Sequence, residues 1–266
     1  MVKRIVLDLD ARYLEQNREF LRKLKKKYVL EPGDAATAPM QNTVVLTDKE
    51  CLVRQWKTYA AIGIEHHNTS INSVPFILES LEDLTDYDLR LAYARKFGLS
   101  CVIAANERFT LRETDFEDLP ELRRIYDNPG IIKYIPGLDD IEVEKDKLIS
   151  YTRYMYGYYG YGLWVMQDNI TGVLIGRAGI EHREVEGELC CELAYLVREE
   201  YQRKGYGYQA ARMVLEFARQ NGMRQIITYI HENNIPSMKL SEKLGFTRWK
   251  ESTDGMKKYI ICKKEL

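Results

Sequence analysis

The amino-acid sequence predicts an α/β protein in two units, a small parallel strand–helix unit followed by a larger mixed one. Three observations carry this reading. Short apolar runs alternate with helical stretches up to residue 105, as in parallel α/β units. The pattern then changes, and 159 residues follow Glu107, a comfortable size for one further domain. Hydrophobic residues make up 45% and charged residues 30% of the 266, an ordinary globular composition that excludes disorder and collagen-like repeats.

In the first unit, Arg4–Leu7 (RIVL) reads as a buried strand and Ala11–Lys27 as a helix, with Leu14, Leu21 and Leu24 near helical spacing. Thr43–Leu46 (TVVL) is a second strand. Asp48–Ala61 reads as a helix stopped by Gly63, and Pro75–Leu78 (PFIL) as a third strand. Asp86–Phe97 is a helix ended by Gly98. Ala105–Arg108 (ANER) is the expected linker, which puts the units at 1–105 and 106–266. The second unit opens on a strand at 109–112 and helices at 115–127 and 143–156. Strands at 162–167, 173–182 and 189–197 follow. A helix at 205–220, a strand at 225–230, a helix at 234–244 and a strand at 257–263 complete it. There is no internal repeat; the nearest to low complexity is the tyrosine-rich run 151–161 (YTRYMYGYYGY).

Charge excludes some partners. Lys+Arg total 39 and Asp+Glu 40, a net charge of −1, so neither nucleic acid nor an anionic membrane is an expected partner. The basic run Arg22–Lys27 (RKLKKK) reads as a solvated helix C-terminus, where the dipole favours cations. No stretch approaches the roughly 18 apolar residues of a membrane helix. The N-terminal apolar run is interrupted at Asp8, too soon for a secretory signal. Cys51, Cys101, Cys190, Cys191 and Cys262 form no CxxC pair and no Cys/His metal spacing. A reducing cytoplasm is the expected compartment, and no metal is expected in the second unit.

The informative segment is Glu192–Ala211 (ELAYLVREEYQRKGYGYQAA). An apolar strand ends at Val197, a charged loop leads to QRKGYG, and an amphipathic helix places Ala210, Ala211, Val214, Leu215 and Ala218 on one side. Glycines at a helix start let backbone N–H groups approach a phosphate at the positive end of the helix dipole, and Arg203 and Lys204 add charge there. A Walker loop is absent. The GxGxxA spacing of a dinucleotide turn is present at Gly205–Ala210. However, seven residues separate it from its strand, and the acidic residue expected about 20 positions later is missing. A glycine turn that merely starts a helix is the third reading.

QRKGYG after YLV resembles the Q/R-x-x-G-x-G/A pattern of the GNAT superfamily of acetyl-CoA-dependent N-acetyltransferases. Asn234–Phe246 (NIPSMKLSEKLGF) resembles the same family's N-x-x-S/A-x-x-L-x-x-K-L-G-F segment. Arg108–Leu122 (RFTLRETDFEDLPEL) is similar to the opening of its RimJ/RimL-like branch. The resemblance covers about 108–263, with both motifs in the family's order. It implies a mixed, mostly antiparallel sheet flanked by helices, with acetyl-CoA as cosubstrate and direct transfer of acetyl to an amine in a ternary complex. It places the pyrophosphate cradle on Arg203, Lys204, Gly205, Tyr206, Gly207 and Tyr208. The pantetheine arm falls on Tyr195, Leu196 and Val197, where a backbone N–H would polarise the thioester, and Asn234 would hydrogen-bond the cofactor arm.

Glu192, flanked by apolar residues, is the candidate base, because desolvation raises a carboxyl pKa; the competing reading is a structural ion pair. Glu181 and His182 are the next candidates, and water-relayed deprotonation is a further one. Ser241 stands where many members carry a tyrosine acid. Ser237 can occupy the thiolate region instead, or simply cap its helix. Tyr156, Tyr159 and Trp164 either wall an amine cleft by cation–π contact or pack as core, the commoner origin of such a stripe. Cys190 and Cys191 read as strand packing.

In the first unit, Ile5–Asp10 (IVLDLD) and Val44–Ile64 resemble motifs of haloacid-dehalogenase-like (HAD-like) folds. Only 37 residues separate Asp10 from Asp48, and no clear strand carries the Ser/Thr and Lys that such a site also needs. The unit is therefore expected to be a truncated HAD-like or Rossmann-like fold without catalysis. Asp8, Asp10 and Asp48 would be its metal ligands if it were active. The expected function is acetylation of a primary amine, on a protein N-terminus or a small molecule, with a homodimer left open. The alternatives are a non-catalytic acyl-CoA-binding regulatory module and a phosphohydrolase run by the first unit.

Overall fold

A computed structural model describes residues 2–33, 41–50, 59–66, 71, 74 and 76–266. The chain divides into Met1–Cys101 and Val102–Leu266. The boundary falls four residues before the expected one because Val102–Ala105 is a strand (β6) that pairs antiparallel with Phe109–Arg112 (β7). The expected linker is the turn of this hairpin. Asn106 Oδ1 accepts the N–H groups of Arg108 at 2.8 Å and Phe109 at 2.9 Å.

The first unit holds five parallel strands: β1 (Arg4–Asp8), β2 (Val29–Pro32), β3 (Thr43–Thr47), β4 (Ala60–Ile64) and β5 (Ile77–Leu78). Their order is β2-β1-β3-β4-β5, a doubly wound sheet whose order reverses between β1 and β3. Ile5, Leu7, Val44, Leu46 and Ile62 pack on one face, and Val6, Val45 and Ala61 on the other. Burial on both faces explains the unbroken apolar runs that announced β1 and β3. The expected helix 11–27 is two, α1 (Ala11–Gln16) and α2 (Arg18–Leu24), broken at Asn17, whose side-chain amide donates to the Tyr13 carbonyl at 2.9 Å. Residues 60 and 61, read as the end of a helix, belong to β4. Gly63 lies inside that strand, paired with Thr47 and Ile77, and Val74 packs over it; a Cβ there would come within 2.8 Å of the Val74 side chain. Residues 51–58 of that expected helix lie outside the described residues. Helix α3 (Asp86–Phe97) starts at a Thr85–Asp88 capping box and ends at left-handed Gly98, as its sequence specifies.

The second unit is built on an eight-stranded sheet. To β6 and β7 it adds β8 (Leu163–Asp168), β9 (Leu174–Val185), β10 (Glu188–Val197), β11 (Gln225–His231), β12 (Thr247–Asp254) and β13 (Lys257–Glu265). The order is β12-β13-β11-β10-β9-β8-β7-β6. Neighbours are antiparallel except β10 and β11, which are parallel. This is the mixed, mostly antiparallel sheet implied by the resemblance. Edge strand β12 (TRWKESTD) escaped the sequence reading because an edge needs no apolar run.

Helices α4 (Leu119–Tyr126), α5 (Pro129–Ile132) and α6 (Ile141–Tyr151) follow β7, and α7 (Tyr206–Gln220) and α8 (Ile235–Lys243) follow β10 and β11. On one face, Leu122, Ile125 and Tyr126 of α4 pack with Val165, Leu174 and Leu196. On the other, Phe217 of α7 meets the ring of Trp164 edge-on at 4.9 Å. Trp164 and Val165 are consecutive on β8, so the two helices cover opposite faces. The tyrosine-rich run leaves α6 as π-helical turns, Thr152–Tyr159, closed by left-handed Gly160.

Candidate active site

The parallel pair β10–β11 opens almost as soon as it forms. Its register consists of Glu192 opposite Ile227. Beyond that point β10 stays paired with β9 as far as Val197 opposite Gly176, and β11 stays paired with β13 as far as His231 opposite Tyr259. Each strand is held by its outer neighbour, and the two diverge. The Arg198 N–H donates to the Ile175 carbonyl on the β9 side at 2.9 Å, and the Leu196 carbonyl also faces β9, so close that a Cβ on Gly176 would meet it at 2.2 Å. By strand alternation Tyr195 and Val197 turn their backbone groups toward the opening. Leu196, expected among the pantetheine contacts, is committed to β9, and its side chain is buried against α4.

The opening leads to the N-terminus of α7. Gly205 is its N-cap, left-handed at φ +83°, with no side chain capping the first-turn N–H groups. Arg203 is also left-handed, at φ +57°, the conformation from which anion-binding backbone nests are made. Gly207 lies beside Val197 and Leu240, where an added Cβ would make ordinary contact with each at 3.5 Å. Arg203, Lys204 and Gly205 are exposed, and Tyr206, Gly207 and Tyr208 half-buried. The loop is braced from behind by a residue the sequence reading did not single out. Arg108 donates to the Lys204 carbonyl at 3.0 Å, and its guanidinium lies 3.7 Å over the Tyr206 ring. Gln202 closes the other side, donating to the Val197 carbonyl at 2.8 Å.

Helix α8 forms the far wall. Asn234 caps it, accepting the Ser237 N–H at 3.2 Å. The Tyr195 hydroxyl crosses from β10 to lie 2.8 Å from Ser237 Oγ. Ser241 does not share this groove: it is buried, with its hydroxyl 3.1 Å from that of Thr228 on β11. Glu192 is buried where β10 and β11 part. Burial raises its pKa, while Arg183, which donates to Glu192 Oε2 at 2.8 Å, opposes the rise. The ion pair considered for Glu192 is therefore present.

An uncapped helix start with two glycines, a strand edge facing an opening and a polar far wall fit a phosphate-bearing thioester arm. Comparison with known proteins agrees. The model of the acetyltransferase (GNAT) domain matches residues 108–247, just over half of the chain. The chain belongs to the GNAT acetyltransferase family.

Acetyl-CoA is the acyl donor of this family. Among relatives, the chain is 28% identical over 124 residues to the uncharacterized protein YkkB of Bacillus subtilis (strain 168), covering 46% of this chain and 70% of that protein. It is 26% identical over 143 residues to the uncharacterized N-acetyltransferase YnaD of the same organism, covering 53% and 81%. Its fold is similar to that of the ribosomal-protein-S5-alanine acetyltransferase of Vibrio fischeri, at 16% identity and a TM-score of 0.53, covering 63% of this chain and 96% of that one.

The acceptor-side candidates separate. Trp164 and Tyr156 are core rather than cleft wall: Trp164 is fully buried, and the Tyr156 hydroxyl donates to the Leu163 carbonyl at 2.7 Å. Tyr159 is half-buried and edge-on to His182 at 4.3 Å. The Tyr161 hydroxyl lies 2.9 Å from His182 Nε2, and burial lowers the His182 pKa. Glu181 accepts a hydrogen bond from the Tyr151 hydroxyl. Cys191 is 3.7 Å from the Tyr161 hydroxyl, and Cys190 packs against the Val185–Ile227–Ile261 cluster.

In the first unit Asp8, Asp10 and Asp48 lie at the strand ends beside the sheet's reversal point. Asp8 is ion-paired with Lys49. Asp10 accepts the Arg12 and Tyr13 N–H groups at 2.8 and 3.2 Å and so caps α1, bonds that lower its pKa. Asp48 accepts the Asp10 N–H at 2.6 Å and lies 2.9 Å from His66 Nε2. His66 in turn stacks on Tyr13 with ring centroids 3.8 Å apart. Among the described residues no group of three or more His, Cys, Asp or Glu is placed to hold a metal ion. No helix among them is long and apolar enough to cross a membrane.

Proposed function

We propose that the second unit transfers acetyl from acetyl-CoA to a primary amine, on a protein N-terminus or a small molecule, by direct attack in a ternary complex. The observation that carries this reading is the divergence of β10 from β11 beyond Glu192, leading into the uncapped start of α7. Acetyl-CoA supplies the activated acetyl group. The N–H groups of the Arg203–Tyr208 turn hold its pyrophosphate, and the Tyr195 and Val197 backbone holds its arm. The amide end of Asn234 not used in capping is a donor for an arm carbonyl. Glu192, its pKa raised by burial, takes the amine proton, and Arg183 keeps the carboxylate oriented. Ser237 faces the leaving sulfur. The likeness to a ribosomal-protein-S5-alanine acetyltransferase supports a protein amine among the acceptors.

We further propose that the first unit is a non-catalytic Rossmann-like companion, HAD-like in its strand-end aspartates. Its carboxylates are already engaged by Lys49, His66 and the α1 N-terminus. Among the described residues Cys190, Cys191 and Cys262 are free thiols, which supports a reducing, cytoplasmic compartment. Calorimetric titration with acetyl-CoA, with NAD as control, tests the central reading. Saturable binding of acetyl-CoA alone is expected; no binding overturns it.

A further inference from the structure

The tyrosine that many members of the family carry after Leu240 is absent, and Ser241, which stands there, is turned into the core. A tyrosine reaches the same groove from the opposite wall. Tyr195 stands on the diverging end of β10, and its hydroxyl lies 2.8 Å from Ser237 Oγ on α8. The Ser237 carbonyl is a longer alternative acceptor, at 3.4 Å. Ser237 is itself fixed, since its N–H donates to Asn234. A serine hydroxyl has one proton and two lone pairs. Accepting from Tyr195 leaves that proton aimed elsewhere, and the groove is where it can go.

We infer that Tyr195 is a positioning residue for the leaving group: its O–H donates to Ser237 Oγ and so directs the Ser237 O–H at the departing thiolate. The inference rests on the reading that the thioester arm lies in the β10–β11 opening. Burial pushes the Tyr195 phenol up to about 12, so it remains a donor throughout the neutral range. In the transfer the amine nitrogen bonds the acetyl carbon and the C–S bond breaks, with its electron pair going to sulfur. The departing thiolate is held by the Ser237 O–H, and the proton that the amine gives to Glu192 returns to sulfur by way of solvent, so Ser237 and Tyr195 keep their own protons. Strand β10 thus supplies the hydroxyl that α8 lacks at position 241.

The test needs no acceptor. Reduced CoA is bound to the full chain, and the ultraviolet absorbance of its thiolate is followed against pH, with desulfo-CoA complexes as blanks. Donation to the thiolate should lower the pKa of the bound thiol below that of free CoA. Tyr195→Phe should reverse this by about tenfold in ionisation constant. Ser237→Ala should do at least as much, and the double variant should add nothing beyond Ser237→Ala. Thiol ionisation unchanged by Tyr195→Phe overturns the inference. If that variant does not fold, unchanged ionisation in Ser237→Ala overturns it equally. Failure of the unmodified chain to bind CoA overturns the cofactor placement instead.

Discussion

Both units contain a pair of parallel strands beside a helix start, and they treat the strand ends in opposite ways. In the first, the ends of β1 and β3 meet carboxylates with partners from their own chain: Lys49 against Asp8, His66 against Asp48, and the first N–H groups of α1 against Asp10. In the second, β10 and β11 separate, and the helix after β10 begins without a side-chain cap. Satisfied polar groups stabilise a fold, whereas N–H groups aimed into an opening favour a ligand. Function therefore follows from which strand ends are left for something else to complete.

The sharpest way to break this comparison is to fill the cradle. Gly205→Glu puts a carboxylate and a strained left-handed side chain at the α7 start. Acetyl-CoA affinity should fall by about 100-fold or more, read by calorimetry. Unchanged affinity would mean that the opening is not the cofactor site. Next comes the proposed base. Glu192→Gln should leave acetyl-CoA affinity within a few-fold but slow transfer by about 100-fold at saturating substrate. The sign of its pH dependence follows from the raised pKa. The carboxylate must be deprotonated to accept a proton, so activity should be lost as pH falls through a value above the ordinary glutamate range. An acid limb in the ordinary range would point to a solvated group. In the first unit, Asp48→Asn should cost about 1–2 kcal/mol in denaturant unfolding, by weakening the His66 and Asp10 contacts, while leaving acetyl-CoA affinity unchanged.

The sequence showed most of what is local and little of what is crossed. QRKGYG and NIPSMKLSEKLGF lie on continuous turns and helix starts, so their glycines and cap residues could be read in place. The apolar runs of β1, β3, β10 and β11 were legible because both faces or one whole face are buried. AAIGI was misread because its small residues fit a helix or a strand, and its long-range pairing with β3 and β5 decides it. β12 is an edge strand with little apolar signal, and β6 (VIAA), though apolar, is an edge strand of only four residues. The crossing of Tyr195 to Ser237 spans 42 residues and leaves no periodic trace. Trp164 and Tyr156 show the converse limit: aromatic content alone does not tell a cleft wall from the core beneath it.

Arg108 gives the smallest expected effect and the finest test. It lies 96 residues from Lys204, yet it donates to that residue's carbonyl and covers Tyr206. Both contacts hold the shape of the turn and leave its N–H groups open for the proposed phosphate. Arg108→Ala should therefore loosen the cradle without removing a phosphate contact. Acetyl-CoA affinity should drop about fivefold, the size of a partly exposed cation–π contact and one hydrogen bond. The salt dependence of binding should barely change, because a positioning arginine neutralises no phosphate. Arg108→Lys, which keeps the charge but not the planar contact with Tyr206, should recover little of the loss. A steep fall in salt dependence in Arg108→Ala would instead place the guanidinium on the phosphate, in the cradle itself.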